Sequence, residues 1–312
     1  MKFRRLSFVF IPALIILSGC VKILNEDLTS KEKRLVLNAA VGSDSVFTVN
    51  LSHTFNIFAD ESANNLPFID GATVKLYENG NFIVKLENTG NGYYRYDGFF
   101  PVMGKEYTVT ASYGGYKTIE AKTSIPQKVP IASFDTTTVT QSYDYGNQII
   151  ANIKYNDPPG VQNFYMLSCY VKNKSPEGEY VWYKNDLWVS ETSKLLFDND
   201  NGDILWSDKY SDGKEVTLDI GFAFWYPEGR NTTETDTLKY IFQFKSITKE
   251  FYTYLKSLNV YYETGGADDP FVEPVVIYSN VDNGYGILGG YSQDTAGFTL
   301  INVYGDRKGG GK

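Results

Sequence analysis

The chain has 312 residues, with 29 Lys plus Arg against 37 Asp plus Glu, a formal net charge of -8. That acidic balance excludes nucleic acid as a partner, because phosphates demand a basic footprint. The length fits about two domains, and 25 Tyr with 20 Phe fit pleated, half-buried surfaces, so the fold class is mainly β.

Residues 1–19 open with the basic head Lys2, Arg4 and Arg5. An apolar run from Phe8 to Leu17 follows, then the small residues Ser18 and Gly19. This is the pattern of a secretory signal peptide. The apolar part is too short to span a bilayer, which takes about 20 residues. Leu17-Ser18-Gly19-Cys20 resembles the bacterial lipobox. The resemblance implies cleavage before Cys20 and a lipid on its thiol. Each buried methylene of the acyl chains then adds about 0.8 kcal/mol of anchoring. Of the two cysteines, Cys169 is left alone, so no intramolecular disulfide is expected. It lies in the strand-like "NFYMLSCYV" and reads as a small buried hydrophobe.

Residues 20–32 form a polar tether with the acidic pair Glu26 and Asp27. The pair resembles the export signal that places lipoproteins outside the outer membrane, which implies outward rather than periplasmic display. Residues 33–125 are expected to be a β-sandwich. Ala72, Val74 and Leu76 alternate with polar neighbours, Asn79-Gly80 makes a hairpin turn, and Phe82, Val84 and Leu86 alternate on the return. Tyr107, Val109, Ala111 and Tyr113 share a further strand face. This stretch resembles immunoglobulin-like or transthyretin-like modules. The lone His53 falls in an alternating run and reads as a strand histidine.

"SIPQKVPI", with Pro126 and Pro130, is the linker, since neither proline can donate to a ladder. A second β-rich domain is expected over 131–304. A late helix near Thr248–Tyr262 is marked by Phe251, Leu255, Leu258 and Tyr262, with Ser246 as its candidate cap. Residues 305–312 read as a disordered tail.

Chemistry is sparse. One histidine and one cysteine besides the lipid-bearing Cys20 cannot build the usual zinc sites, and no G-x-S-x-G elbow occurs. Asp198, Asp200 and Asp203 in "FDNDNGDILWSD" offer oxygen ligands for calcium, or simply form a solvated turn. Tyr180, Trp182, Tyr183 and Trp188 concentrate aromatic faces, which either pack a sheet or make a binding surface. The glycines of "SNVDNGYGILGGYS" lack the strand-then-helix setting of a phosphate loop, so no nucleotide is expected.

In order along the chain stand the lipobox, "LVLNAAV", "DGATVKLYENG", "TSIP", "YNDPPGVQNFY", "WSDKYSDGKEV", "FYTYLKSL" and "DPFVEPVVIYSNVDNGYGILGGYS". This series resembles the domain of unknown function 4249 family of Bacteroidota lipoproteins. The resemblance implies no activity. It implies an outer-membrane lipoprotein considered alongside TonB-dependent import systems. The expected function is therefore a non-enzymatic accessory or ligand-capture partner of such a receptor, with no cofactor beyond the lipid at Cys20. The alternatives are a surface glycan hydrolase using paired carboxylates and a structural or adhesive envelope lipoprotein.

Overall fold

The computed structural model describes residues 32–54, 67–140, 147–174, 179–190, 197, 201–223, 237–264 and 275–301. The signal peptide, Cys20, nearly all of the tether and the tail lie outside the described residues.

The first strands are β1 (Leu35–Gly42), β2 (Phe47–His53), β3 (Thr73–Glu78), β4 (Asn81–Lys85), β5 (Glu87–Gly90), β6 (Tyr93–Tyr96), β7 (Glu106–Ser112) and β8 (Ile119–Ser124). Alternation decides their faces: Val74 and Leu76 point inward, as do Tyr107, Val109, Ala111, Ile119 and Ala121. Asn79 and Gly80 have φ of 46° and 79°, the left-handed pair that a two-residue hairpin turn requires. A register shift between Leu76 and Tyr77 spoils the expected alternation on β4. The bulge turns Phe82 out to solvent, where it meets the Tyr77 ring edge-on at 5.7 Å. Buried Tyr94 fastens the loop before β3. Its hydroxyl donates to the Ile69 carbonyl at 2.9 Å and accepts from the Ala72 N–H at 2.8 Å.

The chain continues through β9 (Ile131–Thr140), β10 (Asn147–Asn156), β11 (Phe164–Lys174), β12 (Tyr180–Asn185), β13 (Leu187–Val189), β14 (Asn201–Gly202), β15 (Ile204–Ser207), β16 (Glu215–Ala223) and β17 (Thr237–Ile247). Helix α1 (Lys249–Glu263), β18 (Val281–Asp282) and β19 (Tyr285–Ile301) complete the described elements. A nine-stranded sheet runs β12-β11-β17-β19-β1-β2-β6-β5, with β15 on β11. Two five-stranded sheets, β18-β8-β7-β3-β4 and β14-β13-β16-β10-β9, pack against it. The first encloses a core of Leu35, Leu37, Leu51, Val74, Val109 and Ile119 among others, and the second a core rich in Tyr155, Tyr165, Trp206, Phe222 and Phe242. Ile125 belongs to the first core and Val129 to the second, on either side of Pro126.

Strand β19 serves both cores. Its early residues pair in parallel with β1, from Val36↔Tyr285 to Gly42↔Tyr291, and its later ones antiparallel with β17. Leu288 enters the first core while Phe298 and Leu300 pack on the second. The glycines of this strand are sites of close approach. A Cβ on Gly290 would lie 1.8 Å from the Ser124 carbonyl oxygen, and one on Gly289 would lie 2.4 Å from the Phe251 ring. Asn280 braces the same place, donating to the Lys122 and Leu288 carbonyls at 3.0 and 2.9 Å.

The helix starts one residue later than the sequence pattern gave, and its cap differs. Ser246 remains in β17, and Thr248 Oγ1 accepts the Phe251 N–H at 3.4 Å. Phe251 and Tyr252 bury against Phe164, Met166, Ile247 and Ile287 on the opposite face of the nine-stranded sheet, whereas Tyr262 is exposed.

Candidate functional site

The aromatic segment splits in two. Strand β12 ends the nine-stranded sheet, with no further strand beside it among the described residues. Tyr180, Trp182 and Tyr183 on it are 50%, 45% and 42% exposed. Such rings on a sheet edge are unusual, because a protein normally hides them or blunts the edge with charge. Register places Trp182 opposite Lys172 of β11 and Tyr183 opposite Val171. The Lys172 ammonium lies 5.9 Å from the Trp182 ring centroid and 6.0 Å from that of Tyr180, a cation–π pairing that holds both rings toward one face. Sequence spacing gave no sign of Lys172, because the partner strand is what brings it there.

Trp188 does not join them. It sits on β13 in a different sheet, half-buried on the second core, with its indole over Gly221. A Cβ at Gly221 would lie 2.2 Å from the Trp188 Nε1. That glycine is the seat of the ring.

Of the calcium candidates, Asp198 and Asp200 lie outside the described residues. Asp203 is held by Lys184, whose ammonium donates to it at 2.8 Å. The structure assembles another acidic group that the sequence reading missed, Asp157, Asp208 and Asp212, with carboxylate oxygens within 4.8 Å of one another. Each carboxylate is engaged. Asp157 accepts from the Tyr165 hydroxyl at 2.5 Å and the Gly213 N–H at 2.9 Å. Asp208 accepts from the Asn163 N–H at 2.8 Å and Asp212 from the Gly160 N–H at 2.7 Å. The group clasps the loop after β10 to the loop before β16. Burial, with the charges of Asp208 and Asp212 behind it, pushes the Asp157 carboxyl above its usual value. The three come from "YNDPPGVQNFY" and "WSDKYSDGKEV", and no local spacing could have joined segments so far apart.

Cys169 is fully buried in the second core, and burial pushes its thiol up to about 12. His53 is half-buried, and its Nδ1–H donates to the Thr54 carbonyl oxygen at 2.8 Å.

These features define a mainly β protein with two sandwich-like cores on a shared sheet and an exposed aromatic edge. The chain belongs to the family described as Domain of unknown function (DUF4249), which matches over residues 21–296. No curated protein matches it.

Proposed function

We propose that this protein is a non-enzymatic lipoprotein of the outer membrane, anchored through Cys20, displayed outward, and serving as the ligand-capture partner of a TonB-dependent import system. The observation that carries the reading is the exposure of Tyr180, Trp182 and Tyr183 on an edge strand, where rigid rings supply contact area at small entropic cost. The lipobox context of Cys20 supports the anchor, and family membership is consistent with it.

The test is isolation of the tagged full chain from native membranes in mild detergent. An outer-membrane barrel of the TonB-dependent kind should co-purify. Cys20→Ala should abolish palmitate labelling and release the chain from the membrane. Labelling that persists in this variant, or isolation without a barrel, overturns the reading.

A further inference from the structure

Directly opposed residues of paired strands share a face. The register therefore makes Trp182, Lys172, Lys239 and Thr299 one row across β12, β11, β17 and β19. The next row is Lys184, Tyr170, Ile241 and Gly297. On the reverse of the same strands, Cys169, Tyr240, Phe242 and Phe298 pack in or against the second core, so these rows form the outer face. Gly297 and Lys239 are exposed, and an open cleft of about 230 Å³ is lined by Lys239, Ile241, Thr295, Gly297 and Thr299, where β19 lies so close to β17 that a Cβ on Gly297 would sit 2.2 Å from the Tyr240 carbonyl oxygen.

Charge sets this face apart. The protein carries a formal net charge of -8, yet the outward residues described on these four strands include Lys172, Lys184, Lys239 and Lys245 and no Asp or Glu. Asp203 and Asp44, from neighbouring segments, stand toward Lys184 and Lys245. The Lys172–Lys239 row lies between Trp182 and the Gly297 cleft.

The geometry points to this face as the binding surface for an acidic polysaccharide, a chain of sugars bearing carboxylates. It rests on the capture role above and names the ligand class. Exposed rings at Tyr180 and Trp182 offer flat apolar faces to the C–H faces of sugar rings. Lys172 and Lys239 meet the carboxylates, and Thr295 and Thr299 supply hydroxyls to the sugar oxygens. Three strand spacings give the row a width of roughly 14 Å, a floor for a short stretch of polymer rather than an enclosed small molecule. A neutral sugar would bring no countercharge to either lysine.

The test is titration of the full chain in detergent with polygalacturonate, alginate and hyaluronate fragments. At least one should bind, and binding should weaken as salt rises from about 0.05 to 0.5 M. Trp182→Ala, and Lys172→Gln combined with Lys239→Gln, should each weaken binding about tenfold or more with an unchanged thermal midpoint. The paired Lys→Arg variant should retain it. Binding to none of the three overturns the inference. So does equal binding by the variants or by neutral dextran. A barrel that still co-purifies when no acidic glycan binds leaves the capture role standing for a different ligand.

Discussion

The indole N–H of Trp206 donates to the hydroxyl of Tyr155 at 2.9 Å, and the two residues belong to different sheets. Tyr155 also packs on Phe244 of the nine-stranded sheet, with ring centroids 4.8 Å apart, so a polar link and an aromatic contact join the layers at one place. Tyr155→Phe removes the acceptor and strands a buried N–H, at a cost of about 1–3 kcal/mol. A urea midpoint unchanged by this substitution would contradict the role.

The two tryptophans near β12 should behave oppositely. Trp182→Ala, on an exposed ring, should change stability by no more than about 0.5 kcal/mol. Trp188→Ala empties a half-buried seat over Gly221 and should cost about 2 kcal/mol or more. Equal midpoints in the two variants would refute the division.

Gly290→Ala puts a methyl group 1.8 Å from the Ser124 carbonyl oxygen, where only backbone movement can relieve it. The expected loss is about 3 kcal/mol or more, at the upper end for overpacking. Gly114→Ala, with nothing within 4 Å of the added Cβ, is the control and should keep the wild-type melting temperature.

Asp157 gives a pH signature. Its folded carboxyl is raised above the ordinary value of 3.8, chiefly by burial, so the folded state holds this proton more tightly than the unfolded one. Stability from this group is therefore greatest at low pH and falls as pH rises from the unfolded value through the raised folded one. The stability of the wild type minus that of Asp157→Asn should decline across that window and then level off. Urea unfolding at stepped pH measures it, and a difference that grows with pH would be the wrong sign.

Burial of Cys169 predicts that iodoacetamide leaves the native thiol intact and labels it once urea unfolds the chain. Rapid labelling of the native protein would show the thiol to be accessible.

Period-two alternation made β3, β7 and the Asn79-Gly80 turn readable, because side-chain direction there follows from neighbours in sequence. The helix was readable for the same local reason. Its cap was not, since β17 extends through Ser246 by pairing with β11 and β19. Phe82 escaped because a bulge is set by the partner strand. The aromatic segment was visible as composition, but only strand order separates Trp182 at a sheet edge from Trp188 inside another sheet. Lys172, Lys239 and the aspartate clasp were invisible for the same reason: register and loop closure place them, and a linear sequence does not express either.

Strand β19 has a consequence for biogenesis. The residues that complete the sheet beside β1 and close over β8 are made after nearly all the rest of the described chain. A nascent chain shorter than Tyr285 has the strands of the first core but not the neighbour that β1 requires. Pairing across so long a sequence interval makes folding slow, because the loop entropy is lost before the contacts form. In the lipoprotein proposed above, which would thread through a translocation channel unfolded, that delay would keep the chain export-competent until β19 has emerged.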